Sequence, residues 1–122
     1  MKTITALRRR KKEMTYTHSQ LVEIARLWLF KRYPVVITEM VAYGFETPDA
    51  IAFNSSESVL VECKASYSDF VRDADKLFRR QQELGMGNYR WYMTPSGMIP
   101  KEKIPAAWGL LEVNEKQKIR MR

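Results

Sequence analysis

Two β-rich runs on either side of Asn54-Ser55-Ser56-Glu57 constrain this chain more than any other feature. Residues 48–53 and 58–65 are rich in apolar side chains and each reads as a strand. The tetrapeptide between them carries short polar groups that bond to nearby backbone and favour a turn, so the pair reads as an antiparallel hairpin. With Ser55-Ser56 as a two-residue turn, Asn54 faces Glu57. Counting five residues back along each strand then sets Asp49 directly opposite Glu62. A four-residue loop keeps this register, whereas a three-residue loop would put the two carboxylates on opposite faces. The strand period of two places Lys64 on the face of Glu62, and Val59, Val61 and Cys63 on the other, apolar face.

Opposed residues of an antiparallel pair have Cβ atoms about 4.5–5.5 Å apart, where like charges repel. Such a pair needs a cation or a shared proton. Two hard carboxylate ligands, with water in the remaining positions, suit Mg2+ or Mn2+. A metal so held generates a nucleophilic hydroxide and stabilises charge on a phosphoryl oxygen, and a neighbouring ammonium adds to that stabilisation. The plainer alternative is a salt-bridged surface face on which Lys64 merely neutralises Asp49 and Glu62.

Around the hairpin, Thr17 and Gln20 form a capping box opening a helix over residues 18–33, stopped by Pro34. Its stripe is Leu21, Ile24, Ala25, Trp28 and Arg32, and apolar residues continue around it, so the helix is expected to be largely covered. Glu23, near Leu27 and Phe30, then needs a partner. Residues 35–41 read as a first strand, broken at Gly44. Ser66 or Ser68 caps a second helix with Asp69 in its first turn, the stripe Phe70, Ala74, Leu77, Phe78 and a stop at Gly85. Residues 89–94 form a fourth strand, Pro95, Pro100 and Pro105 mark an irregular stretch, and residues 108–113 form a last short strand. The predicted fold class is α/β, in the order α-β-β-β-α-β with a further strand, a mixed sheet flanked by helices. Asp49, Glu62 and Lys64 are expected on the sheet face that the first helix covers.

The 122 residues suit one domain. The formal charge of +7 is concentrated at the ends. Residues 1–12 hold six basic side chains and residues 116–122 four more, leaving 11 basic and 14 acidic residues between them. That division predicts a basic arm over 1–16, a domain over 17–115 and a basic tail over 116–122. The arm's Arg8, Arg9, Arg10, Lys11 and Lys12 are candidate phosphate contacts. A single cysteine, Cys63, excludes an internal disulfide and a cysteine zinc site. No apolar run is long enough to cross a bilayer, and none follows the basic start as a signal peptide requires. The expectation is a soluble intracellular protein with no membrane partner.

Pro48-Asp49, then twelve residues, then Glu62-Cys63-Lys64 resembles the signature of the PD-(D/E)xK nuclease superfamily, whose common core is also α-β-β-β-α-β. The resemblance spans residues 17–113 and implies a restriction-endonuclease-like fold and a Mg2+- or Mn2+-dependent endonuclease acting on DNA. Asp49 and Glu62 would be its metal ligands and Lys64 its catalytic lysine. Many members carry a further glutamate on the first helix, where Glu23 stands. Glu39 is a second candidate, since a turn centred on Gly44 sets it beside Asp49. The strand running into Ser66–Asp69 and a charged helix is similar to small bacterial and phage members linked to DNA repair. This implies the cytoplasm of a bacterium or of a phage's host. One site per chain means that a double-strand cut calls for a homodimer or two visits.

Asp69, Asp73, Lys76 and Arg80 share one face of the second helix. Lys76 and Arg80 are candidate phosphate contacts, whereas the aspartates read as a solvated face with intrahelical pairs. His18 reads as a surface histidine, Cys63 as inert core, and Tyr89, Trp91 and Tyr92 as a core strand rather than a base-stacking platform. Two other functions fit the same residues. One is a catalytically silent nucleic-acid-binding module, the other an interaction protein whose basic ends meet an acidic partner.

Overall fold

The computed structural model describes residues 15–38, 48–79 and 88–122. In chain order the elements are α1 (His18–Phe30), β1 (Val35–Thr38), β2 (Ala50–Phe53), β3 (Ser58–Cys63), α2 (Tyr67–Arg79), β4 (Tyr89–Pro95), a 3-10 turn (Lys101–Lys103), β5 (Trp108–Val113) and β6 (Ile119–Met121). The six strands form one sheet in sequential order. Neighbours are antiparallel except β3–β4 and β4–β5, which are parallel. Parallel neighbours need a crossover. The segment 64–88, with α2, supplies the first and the proline-rich stretch 96–107 the second.

The hairpin has the register its turn dictates: Ala50 pairs with Val61 and Phe53 with Ser58. Asn54 closes it, donating its N–H to the Glu57 carbonyl at 3.0 Å. Its side-chain oxygen accepts the N–H groups of Ser56 and Glu57 at 2.9 and 2.8 Å. On the other side, Val35 pairs with Phe53 and Thr38 with Ala50.

The capping box of α1 is complete, Thr17 and Gln20 each bonding the other's backbone N–H. The helix ends at Phe30 rather than 33, since the residue before Pro34 disfavours helical backbone. Leu21, Val22, Ala25 and Leu29 are buried, but Leu27 and Phe30 remain half exposed, so the helix is not largely covered. A helix lying on one face of a sheet buries one stripe only.

That stripe packs on Ala50, Ala52, Val59, Val61, Cys63, Met93, Leu111 and Val113. A second core, Phe70, Tyr92, Ile99 and Leu110, fills the opposite face. Glu62 pairs laterally with Tyr92 and so belongs to this second face, under α2. The expectation that the first helix covers the carboxylates is therefore corrected. Both sheet faces are apolar along most of their length, and each helix buries its stripe on one: α1 on the side of Val59, Val61 and Cys63, α2 through Phe70 on the side of Tyr92 and Leu110, where Glu62 also lies.

The ends also differ from expectation. Tyr16, placed in the arm, packs on the first core and donates its hydroxyl to the Asn114 carbonyl. Residues 116–122 are not a free tail, because Val113 pairs with Ile119 and Leu111 with Met121. The alternation Ile119-Arg120-Met121-Arg122 carried that strand signal beneath its charge.

Tyr92 is fully buried, stacked on Trp108 at 4.5 Å and edge-on to Phe70 at 5.0 Å, as a core strand requires. Tyr89, at the start of the same strand, is exposed. Gly109 pairs with Trp91, and a Cβ at Gly109 would overlap the indole ring. Gly109→Ala is expected to lower stability by about 2 kcal/mol through overpacking, read as a lower denaturation midpoint in urea. An unchanged midpoint would mean that Trp91 has room to move.

Candidate functional site

The carboxyl end of β3 and the residue preceding β2 bring Asp49 and Glu62 together. Asp49 is tied down by its Oδ2, which accepts the Cys63 N–H at 2.8 Å. Its Oδ1 lies 3.1 Å from Nε2 of His18, the first residue of α1. Glu62 is only 7% exposed, and its carboxyl shares a hydrogen bond with Asp49. Burial, then the charge and hydrogen bond of Asp49 and the charge of Asp73, push the Glu62 carboxyl up to about 10, against a smaller opposing pull from Lys64. Without a cation, Glu62 therefore keeps a proton at neutral pH.

Lys64 continues the β3–β4 ladder, donating its N–H to the Met93 carbonyl at 3.0 Å. Its Nζ lies 3.3 Å from Asp73 Oδ1, in a largely buried pair. The other oxygen of Asp73 accepts the Tyr92 hydroxyl at 2.7 Å. Ser66 caps α2 by accepting the Asp69 N–H at 3.2 Å, which fixes where Asp73 emerges from the helix. A pocket of about 210 Å³ opens here, lined by His18, Cys63, Lys64, Asp69, Arg72 and Asp73.

Of the candidates named from sequence, Asp49, Glu62 and Lys64 are gathered at one place. Glu23 is not. It faces solvent, bonds Arg26 at 2.9 Å, and has its carboxyl held below the usual range by that hydrogen bond. It also projects about 140° around α1 from His18. Glu39, Arg8, Arg9, Arg10, Lys11, Lys12 and Arg80 lie outside the described residues; Lys76 lies on α2.

Three participants escaped the sequence reading. Asp69 does form the intrahelical pair expected of it, with Arg72. Asp73 instead turns to the sheet, and its one signal was its position beside the apolar stripe of Phe70, Ala74 and Leu77. Tyr92 carried none beyond its strand. His18 is brought in by the placement of α1's first turn, which local sequence does not encode.

Among the described residues no three His, Cys, Asp or Glu side chains are arranged as a ready-made metal cage. The donor set still suits a hard divalent cation that keeps most of its waters, for which one or two carboxylates are enough. Asp49, Glu62 and Asp73 crowd against one lysine, and Glu62 is held neutral by proton uptake instead of by a cation. Residues that fit the metal are thus present at Asp49 and Glu62.

A pH dependence follows. A carboxyl whose pKa rises on folding stabilises the fold fully below its unfolded value of about 4.3 and loses that contribution steadily as pH climbs from there, the loss being complete once the folded value is passed. In chelator, the parent protein should lose about 1 kcal/mol per pH unit relative to Glu62→Gln between pH 5 and 8. Urea denaturation across that range reads the difference; parallel curves would mean that Glu62 is not held protonated.

No protein-family model matches the chain, and no curated protein matches it. Its fold is similar to a solved structure described as a protein of unknown function from Silicibacter pomeroyi. The TM-score is 0.59 at 22% identity, covering 88% of this chain and 71% of that one. That likeness concerns the fold alone. No described helix is long and apolar enough to cross a membrane.

Proposed function

We propose that this protein is a divalent-metal-dependent nuclease that hydrolyses phosphodiester bonds in DNA, on a core of the PD-(D/E)xK type. The observation that carries the reading is the meeting of Asp49 and Glu62 at one end of the β2–β3 hairpin, with Lys64 beside them. The element order α-β-β-β-α-β supports the restriction-endonuclease-like arrangement.

Asp49 and Glu62 would hold Mg2+ or Mn2+, which when bound supplies an activated water and a counter-charge for the phosphate. The chain's own groups do the positioning. His18 and the Cys63 N–H orient the Asp49 carboxylate, leaving Glu62 to complete the pair as it gives up its proton. Lys64 presents an ammonium for charge developing on the attacked phosphate. Asp73, itself fixed by the Tyr92 hydroxyl, holds that ammonium in place and is a positioning residue.

The test is a panel of duplex, nicked, branched and single-stranded DNA and of RNA, each with Mg2+, Mn2+ or a chelator. Cleavage of DNA with either metal and none with the chelator is the expected result. A chain that binds the panel and cuts nothing is the catalytically silent module instead.

A further inference from the structure

The C-terminal edge of the sheet holds a second charged feature that the carboxylate site does not use. A groove of about 450 Å³ is bordered by Ser96, Gly97, Glu112, Lys118, Arg120 and Arg122. Its floor is Glu112, only 5% exposed, which accepts the Gly97 N–H and an Arg122 Nη1 donor, each at 3.1 Å. A buried carboxylate bonded in this way fixes the guanidinium, and a guanidinium has five donors in all. Arg120 pairs in register with Glu112, so it stands on the same sheet face. Lys118 and Arg120 form no ion pair among the described residues. Three cations around one satisfied carboxylate leave the groove net positive.

Strand parity links this groove to the carboxylates. Glu62 pairs with Tyr92 and Tyr92 with Leu110, two residues before Glu112, so both sites lie on one sheet face. Both also sit where the parallel strands β3, β4 and β5 end, the side on which open α/β sheets bind ligands. Three strand spacings, about 14 Å, separate β3 from β6, which is about four steps along one strand of a duplex.

We infer that the Lys118–Arg120–Arg122 groove binds backbone phosphates of a nucleic acid a few nucleotides away from the bond held at Asp49 and Glu62. This rests on the nucleic-acid reading above. It makes the C-terminal segment a fixed anchor rather than a diffuse source of charge.

The test measures the affinity of the full chain for a fluorescent duplex in EDTA, from 50 to 200 mM salt. The Lys118→Ala/Arg120→Ala double variant is compared with Lys101→Ala/Lys103→Ala, which removes the same charge outside the groove. The groove pair should weaken binding roughly tenfold at the low-salt end and lower the slope of log K against log salt by about 2; the control pair should do clearly less. Equal losses in the two variants, or none in the groove pair, would overturn the inference. Because EDTA removes catalysis from the readout, a chain that never cleaves but loses affinity only in the groove pair keeps the groove and loses the nuclease. A chain that cleaves but shows no difference between the pairs does the reverse.

Discussion

Asp49→Asn is expected to slow DNA cleavage on the order of a thousandfold while leaving the fold at least as stable as the parent. The asparagine side chain keeps a carbonyl oxygen for the Cys63 N–H that Asp49 Oδ2 now accepts at 2.8 Å. It discards the negative charge that helps push the Glu62 carboxyl up to about 10. Stability and activity therefore move apart, as they do when a site holds charges that the fold alone would shed. Cleavage rate and thermal midpoint, measured on the same preparation, check this. A large drop in midpoint with cleavage intact would make Asp49 a structural acceptor and no more.

Lys64→Ala should behave differently. Removing the ammonium leaves Asp73, now 3.3 Å from it, without its cation and adds an uncompensated charge near Glu62 and Asp49. Because the pair is largely but not wholly buried, the expected loss of stability is about 2 kcal/mol. Cleavage should fall on the order of a hundredfold, since both carboxylate ligands stay in place. Millimolar Mn2+ should raise stability by binding the folded state, in the parent and in Lys64→Ala but not in Asp49→Asn. A Lys64→Ala protein as stable as the parent and equally active would assign the lysine to the solvated surface.

The hairpin explains how much of this was legible in the sequence. A polar tetrapeptide between two β-rich runs fixes register, and register alone placed Asp49 against Glu62. The capping box likewise set the start of α1 to the residue. What stayed hidden depended on three-dimensional placement. The face of β3 that each helix takes depends on the whole sheet: α1 packs on the side of Val59, Val61 and Cys63, and Phe70 of α2 on the side of Glu62 and Tyr92. Asp73 and Asp69 look alike in sequence, four residues apart on one helix face, yet one meets Lys64 and Tyr92 and the other pairs with Arg72 in solvent. His18 lies 31 residues from Asp49 in the chain, and no local pattern ties them. At the C-terminus the charge of residues 116–122 masks a short alternating strand, Ile119–Met121, whose period is too brief to stand out from its basic neighbours.

A nuclease site at this hairpin requires that Asp49 and Glu62 hold a divalent cation. Calorimetric titration of Mn2+ into the metal-free parent, Asp49→Asn and Lys64→Ala measures this without reference to any substrate. One site per chain should bind in the parent with release of a proton from Glu62, should persist in Lys64→Ala, and should disappear in Asp49→Asn. Equal binding by the parent and Asp49→Asn, or none by either, would mean that Asp49 and Glu62 are not a metal site.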